Sequence, residues 1–541
     1  MRFYEYINET LKAYGCRKAF GVPGKLVMPI WQNLDGIEIV LCSHEQEASY
    51  AATGYSKASG ELVAVVTIGS PGVTNCASGI ASANMDSVPM VYISGRTPSR
   101  LRGYGLRQEE SNINRAFNSV DLLSPLTKKQ IEINDISQAA QMFSNACEEA
   151  ISGRQGCVHV SIDMEIQSQE LPLLEKFYAA EKSMDAIVPT FPNVTKPLII
   201  LGWGCWQAKA TTKVYELAEK IGAPVLVTSK ASCCIWGKHP NYLGKLGYGY
   251  NAILEGFLQD YSPEQVLVFG SSMGRKDISE SCLSILQRAE TYLYSIECED
   301  VVSRFSDGHW VQVNDMAEMV DSWLKETEPS NDILAYDLKS VRQQQKMFYL
   351  GNIESKDLMA QAVYELNNLC DDSCVIAADA GNHLIDTAIL YEPQQLGGMF
   401  LDVGIRSMGS SICSSVGMAL ASKNKYYVAV TGDGSMLMNG NVMYLAKRYD
   451  LPVLFLVINN SSHGRVRVGQ MMQKNFISTD LGNIDFTLYG KAYGLDTYKA
   501  KSMDEYRNVM ERILSERRTS LLELCTDKDE IPPSLKGDRL Y

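Results

Sequence analysis

The sequence predicts an α/β protein made of three domains, each a parallel sheet flanked by helices. Three observations predict it. Short apolar runs without polar alternation recur along the chain, as expected of strands buried on both faces. Helix-period segments separate these runs, giving a βαβα order. The 541 residues divide into three such blocks at polar stretches, in keeping with about 100–200 residues per domain.

The first block, residues 1–170, has candidate strands at Leu62–Ile68, Met90–Ser94 and Val158–Ile162, with a helical pattern over Glu47–Ala58. Lys182–Pro197 reads as a linker. The second block, residues 185–328, opens on the strand and turn Pro197–Cys205 and continues with a helix over Ala208–Ile221. Further strands follow at Pro224–Thr228 and Val266–Gly270. A second linker begins at Glu326–Ser330. The third block, residues 350–541, has strands at Val375–Ala378, Tyr427–Thr431 and Pro452–Ile458.

Composition excludes several classes. Lysine and arginine number 50 against 63 aspartates and glutamates, a net charge of −13, which argues against nucleic acid as the partner. The N-terminus MRFYEYINETLKAYG is charged early and lacks a secretory apolar core. No apolar stretch reaches membrane-spanning length; Leu451–Ile458 is strand-sized. The 14 cysteines are scattered, and the close pairs Cys233-Cys234 and Cys370/Cys374 lack a second ligand pair at zinc spacing. Reduced, buried thiols in a cytoplasmic protein are the expectation.

The chemistry-bearing segment is Gly432-Asp433-Gly434-Ser435, followed after the strand LPVLFLVI by Asn459-Asn460. Each piece ends a strand, at the edge where open α/β sheets bind ligands. A carboxylate from Asp433 and an amide oxygen from Asn460 make a hard-oxygen set suited to Mg²⁺ or Ca²⁺, with positions left for phosphate oxygens.

This pairing resembles the diphosphate-binding motif of thiamine diphosphate enzymes, and the likeness is greatest to the acetolactate synthase branch. Further ordered blocks carry it: His44-Glu45-Gln46 with AATGYSKASG, Thr67–Asn75, Met85–Met90, Arg107-Gln108-Glu109 and Ser152–Gly156. The resemblance implies a pyrimidine-binding, a middle and a diphosphate-binding domain, with thiamine diphosphate and Mg²⁺ as cofactors. It implies that Glu45 hydrogen-bonds the aminopyrimidine ring and promotes deprotonation of the thiazolium carbon, as a carboxyl in an apolar cleft can. Met408 becomes the wedge between the cofactor rings. Gly381-Asn382-His383 becomes a diphosphate contact, as do Gly432, Gly434, Ser435 and Gly464. Asp433, Asn460 and the Ser462 carbonyl become the metal ligands.

Four departures from the family pattern bear on substrate. Lys25 stands where acetolactate synthases have a small glycine, and can pair an anion or relay a proton. Arg107 replaces a phenylalanine beside Gln108. Gly469 takes the place of a pocket-narrowing tryptophan, and the segment Ser461–Arg467 offers His463 as an acid/base or substrate contact. Ser410-Ser411 replaces a Phe-Gly pair. With Arg465 and Arg467, these changes suggest a roomier, basic cleft and a larger or anionic substrate.

The implied reaction is decarboxylation of a 2-keto acid with transfer of its acyl unit to a second carbonyl compound, in a homodimer or homotetramer without membrane or nucleic-acid partners. Non-ligating decarboxylation and a catalytically silent paralogue are the alternatives. FAD stays open: Gly202-Trp-Gly204, Leu246–Gly249 and Gly270–Arg275 occupy the regions that would contact it, with Arg275-Lys276-Asp277 as a loose remnant of a charged cluster.

Overall fold

The computed structural model describes residues 1–172, 188–274, 277–297, 308–329, 336–471 and 473–535. It contains three six-stranded sheets, and every strand pairing in them is parallel. The first sheet holds β1 (Lys18–Gly21), β2 (Glu38–Leu41), β3 (Val63–Ile68), β4 (Met90–Arg96), β5 (Lys129–Ile133) and β6 (Cys157–Asp163), in the order β2-β1-β3-β4-β6-β5. The second holds β7 (Pro197–Leu201), β8 (Val225–Val227), β9 (Tyr242–Lys245), β10 (Gln265–Phe269), β11 (Glu290–Ser295) and β12 (His309–Gln312), ordered β12-β11-β10-β7-β8-β9. The third holds β13 (Cys374–Ala378), β14 (Met399–Leu401), β15 (Tyr426–Gly432), β16 (Val453–Asn459), β17 (Asp496–Ala500) and β18 (Ser520–Cys525), ordered β14-β13-β15-β16-β18-β17.

The central strands carry the expected burial: every residue of β4, β6, β7, β13 and β16 is buried, as strands covered by helices on both faces must be. The expected helix appears as Glu45–Ser59, ended by Gly60 in the left-handed conformation at φ +71°. The helix after β7 is divided into Trp203–Gln207 and Thr211–Ile221, with Lys209 between them at φ +54°. Residues 182–187 of the first expected linker, and Ser330 of the second, lie outside the described residues.

One apolar core runs through all three sheets, with separate clusters in the first and second. The closest joint is between the helix Glu45–Ser59 and the helix Ser410–Ala421 of the third domain. A Cβ on Gly54 would fall inside the Ser414 backbone, and one on Gly417 inside the Ala51 carbonyl. The two backbones touch because both positions lack a side chain.

Polar clamps hold the other joints. Asp86, at the end of the helix Pro71–Met85, is buried; its carboxylate meets Lys57 Nζ at 2.5 Å and Lys230 Nζ of the middle domain at 3.0 Å. The Trp203 indole donates to the Asp86 carbonyl at 2.8 Å, and Gly404 of the third domain packs on the carboxylate so closely that its Cβ would lie 2.8 Å from Oδ1. Burial alone would raise the Asp86 carboxyl; the two ammoniums overcome that and hold it below the usual carboxylate range. Lys245, ending β9, donates to the carbonyls of Ala388 at 2.7 Å and Tyr391 at 2.6 Å, closing the C-terminus of the helix Asn382–Leu390. Burial pushes this lysine down to about 8. The thirteen described cysteines are all free.

Candidate active site

In the third sheet the chain order reverses between β13 and β15, and such a switch point is where open α/β sheets form a crevice at the carboxyl ends of their strands. The loops after β13, β15 and β16 all emerge there. They carry Gly381-Asn382-His383, Gly432-Asp433-Gly434-Ser435 and Asn460-Ser461-Ser462.

Asp433 is buried. Its two oxygens accept the amides of Gly434 at 2.7 Å and Ser462 at 3.1 Å. The same Ser462 N–H lies 3.1 Å from Asn460 Oδ1, so the carboxylate and amide oxygens converge on one amide. The loop is tied down by His463 N–H to the Thr479 carbonyl at 2.8 Å, Ser462 Oγ to that carbonyl at 3.0 Å, and Leu481 N–H to Ser461 O at 2.9 Å. Burial raises the Asp433 carboxyl above its ordinary value, against the amide hydrogen bonds and the charge of His463. A cation beside these oxygens would relieve that burden.

Around this set the glycines are required by contact. A Cβ on Gly434 would lie 2.8 Å from Met408 Cε and 3.0 Å from His463 Cε1; one on Gly432 would lie 3.0 Å from His383 Cε1; one on Gly464 would lie 2.8 Å from Asn460 Nδ2 and 3.3 Å from Asn382 Nδ2. A Cβ on Gly381 would strike the His383 ring. His383 is buried, its ring bonded to the Asp379 backbone, and burial pushes it down to about 4. Its Nε2 and Asn382 Oδ1 have no partner. Buried polar atoms without partners are costly, and a polar ligand in the space they border supplies what they lack. The donor set fits the diphosphate and Mg²⁺ that the sequence implies: one carboxylate, one amide oxygen and a backbone carbonyl. Among the described residues no cluster of three His, Cys, Asp or Glu side chains forms a metal site, and this set needs none.

Asp379 and Arg406 are not legible as site residues in the motif. Asp379, directly after β13 and fully buried, accepts the N–H of Gly409 at 2.6 Å and of Ala380 at 2.9 Å. Gly409 has φ +84° and leaves no room for a side chain beside Asn439, so Asp379 anchors the turn that presents Met408. Burial pushes this carboxyl up to about 6. The buried Ser435 hydroxyl has no hydrogen-bond partner among the described residues. Arg406 stands two residues before Met408.

Glu45, Lys25 and Gln108 lie elsewhere, in the first domain, where they follow β2, β1 and β4. Glu45 opens its helix, with His44 Nδ1 accepting the Gln46 amide at 3.1 Å, and its carboxylate accepts Asn75 Nδ2 at 2.9 Å. Lys25 is exposed on the turn after β1, where Gly24 presses on Ile68 of β3. Arg107 and Gln108 are exposed on a loop braced by Glu109, which accepts the amides of Gly105 at 2.8 Å and Leu106 at 3.0 Å, and by Glu110, which accepts the Ser70 amide and the Ser119 hydroxyl. Among the described residues no hydrogen bond or ion pair joins Glu45 to the Asp433 loop of its own chain.

One expected cation is corrected. Arg467 does not contribute to a basic cleft: it is buried, paired with Asp529 at 2.7 Å and Asp480 at 3.5 Å, and stacked 4.1 Å over the Phe476 ring. Its guanidinium is neutralised within the protein. In the middle domain, Gly202, Gly204 and Gly270 press backbone to backbone; a Cβ on Gly204 would lie 2.9 Å from Gly270 Cα, and Gly270 has φ +66°. The sheet itself requires these glycines, so they are no argument for a flavin. Arg275 and Lys276 lie outside the described residues.

Three family models match the chain in order: the N-terminal thiamine pyrophosphate binding domain of thiamine pyrophosphate enzymes at residues 1–116, their central domain at 184–286, and their C-terminal thiamine pyrophosphate binding domain at 379–524. Relatives resemble it from end to end. The acetolactate synthase isozyme 2 large subunit of Escherichia coli is 24% identical, over 99% of this chain and 98% of the relative. The acetolactate synthase large subunit of Lactococcus lactis is 24% identical, over 99% and 95%. The acetolactate synthase of Bacillus subtilis is 23% identical, over 99% and 95%. With the cradle at the third sheet's switch point and these matches along the whole chain, the protein belongs to the thiamine pyrophosphate enzymes, in their acetolactate synthase-like branch.

Proposed function

We propose that the protein uses thiamine diphosphate and Mg²⁺ to decarboxylate a 2-keto acid and to join its acyl unit to a second carbonyl compound. The observation that carries the reading is the convergence of Asp433, Asn460 and the partnerless His383 Nε2 and Asn382 Oδ1 around glycines that leave a cradle open. Asp433, Asn460 and the Ser462 carbonyl hold the metal, and His383, Asn382 and the Gly432–Ser435 turn hold the diphosphate. When bound, the cofactor supplies the carbon nucleophile and the electron sink.

The chain's own residues supply the rest. Met408, on the turn that Asp379 holds through the Gly409 N–H, would pack against the cofactor's rings. Glu45 holds a proton at the aminopyrimidine ring. Among the described residues it makes no hydrogen bond or ion pair to the Asp433 loop of its own chain, and in this reading the working unit is a homodimer in which each Glu45 serves the partner's cleft. Lys25, Gln108 and His463 line the substrate side, with His463 against Gly434. In this reading the protein works as a soluble cytoplasmic homo-oligomer, and no helix among the described residues is long and apolar enough to cross a membrane.

The deciding experiment is Glu45→Gln. Turnover should be abolished while cofactor binding, followed by tryptophan fluorescence, persists and still requires Mg²⁺. Full turnover in the variant would overturn the mechanism. A CO₂-release screen of 2-keto acids, run with and without carbonyl acceptors, separates carboligation from plain decarboxylation. Visible absorbance of the purified protein reports a flavin directly.

A further inference from the structure

A second space for a ligand lies outside the cradle. A cavity of about 350 Å³ opens where the first and middle domains meet, and Leu396 of the third domain also lines it. The volume suits a small organic molecule, and no cradle residue borders it. Part of its wall is apolar and aromatic, with Val88, Pro89, Trp203 and Trp206. The protein fixes both indoles. Trp203 donates to the Asp86 carbonyl at 2.8 Å. Trp206 donates to the Lys57 carbonyl at 3.4 Å, and its ring stands edge-on to Phe400 with 5.9 Å between centres. Rings already held in place offer contact area to a ligand at little ordering cost.

The charge on the wall is one-sided. Lys57 and Lys209 line the cavity, and no aspartate or glutamate does. Lys57 is matched by Asp86 at 2.5 Å. The exposed Lys209 side chain makes no hydrogen bond or ion pair among the described residues. It reaches across the domain joint to Gly60, where a Cβ would lie 3.4 Å from Lys209 Cε and 3.8 Å from its Nζ. Gly60 ends the helix Glu45–Ser59, and the partial negative charge of a helix tail holds an ammonium in place without neutralising it. Lys209 also has φ +54°, a left-handed conformation that costs a residue with a side chain. A glycine would hold this turn without strain, so the ammonium is kept at some expense.

We propose that this cavity is a second binding site, for a small aromatic anion whose flat ring packs on Trp203 and Trp206 and whose carboxylate or phosphate meets Lys209. A neutral ring would leave the lysine unused. An inorganic anion would leave the indoles bare and most of the volume unfilled. Residues of all three domains line the site, and Lys57 belongs both to its wall and to the Asp86 clamp. Occupancy therefore fastens the joint between the domains, and the ligand raises the unfolding temperature. The site does not depend on the carboligase reading.

The test uses holoenzyme, with thiamine diphosphate and Mg²⁺ saturating so that the cradle is filled. It is titrated calorimetrically with 2-naphthoate, 2-naphthyl phosphate and the neutral 2-naphthol. At least one of the two anions should bind about tenfold or more tightly than 2-naphthol. Lys209→Gly suits the left-handed turn, so the fold persists, and it should bring the anions down to the level of 2-naphthol, a loss of about tenfold. Trp206→Leu should weaken all three about fivefold, and thermal unfolding without ligand checks that each variant is folded. Naphthoate binding alone identifies a carboxylate ligand, and naphthyl phosphate binding alone a phosphorylated one; either upholds the site. Anions that bind no better than 2-naphthol, or that bind Lys209→Gly as they bind wild type, overturn the site and leave the carboligase reading standing. A protein that fails to bind thiamine diphosphate overturns that reading and leaves this site standing.

Discussion

Asp86→Asn tests whether the three domains are held by charge at their meeting point. The substitution keeps the shape of the side chain and removes the anion between Lys57 and Lys230. Asp86 is 2% exposed and the Lys57 side chain 10%, so Lys57 is left with a buried, uncompensated ammonium. Removing one member of a buried pair costs about 3–5 kcal/mol. The lower end applies, because the Lys230 side chain is 25% exposed and can turn to water, and Asp402 lies close enough to act on Lys57. A loss of about 3 kcal/mol is therefore expected at neutral pH. The sign with pH is defined. The folded Asp86 carboxyl lies below its unfolded value, so its contribution is present above the unfolded value near pH 4 and is lost as pH falls. The assay is urea unfolding followed by tryptophan fluorescence, since the Trp203 indole is bonded to the Asp86 carbonyl. Lys57→Met and the double variant complete the cycle, and the double variant should recover most of the loss. A loss below about 1 kcal/mol in Asp86→Asn, or additive single losses, would refute the clamp.

Three further outcomes follow from the packing and the titrating groups. Gly417→Ala should cost about 3 kcal/mol, the upper range for overpacking, because the Ala51 carbonyl occupies the place of the new methyl; thermal unfolding reads it. His159, fully buried between Ser94 Oγ at 2.7 Å and Gln130 Oε1 at 2.6 Å, is pushed down to about 3 by burial. Its unfolded form takes a proton below about pH 6.5 while the folded form does not, so stability is full above that value and falls by about 2 kcal/mol by pH 5; urea titrations of His159→Gln should lack this slope. Asp379, raised to about 6, has the opposite sign: stability falls as pH rises from about 4 to 6, by about 3 kcal/mol, and Asp379→Asn should gain on wild type across that window in the same titrations.

The sequence exposed the central strands and hid the edges. β7, β13, β15 and β16 are apolar runs buried on both faces, so their pattern is unambiguous. β12 (HWVQ) and β17 (DTYKA) are half-exposed edge strands whose composition resembles loops, and only their neighbours make them strands. At the site, local motifs were readable because Gly432–Ser435 and Asn459–Ser462 each work within a few residues of chain. Asp379 and Asp86 were not, since the partners that give them their roles, Gly409 and Lys57, lie 30 and 29 residues away, which local spacing does not disclose. Arg467 was misread for the same reason: its acids, Asp480 and Asp529, are distant in the chain.

Lys245 gives the middle domain a share in holding the cradle. The helix Asn382–Leu390 offers its head to the cradle through Asn382 and His383, and its tail is sealed by an ammonium from another sheet. A cation at that tail offsets the partial negative charge that the helix's aligned peptides build up there. A chain shortened to its two outer domains would keep every cradle residue and still lose the fastening behind one of its walls. The smallest unit able to present this cradle is thus the undivided chain, although its three sheets look separable on paper.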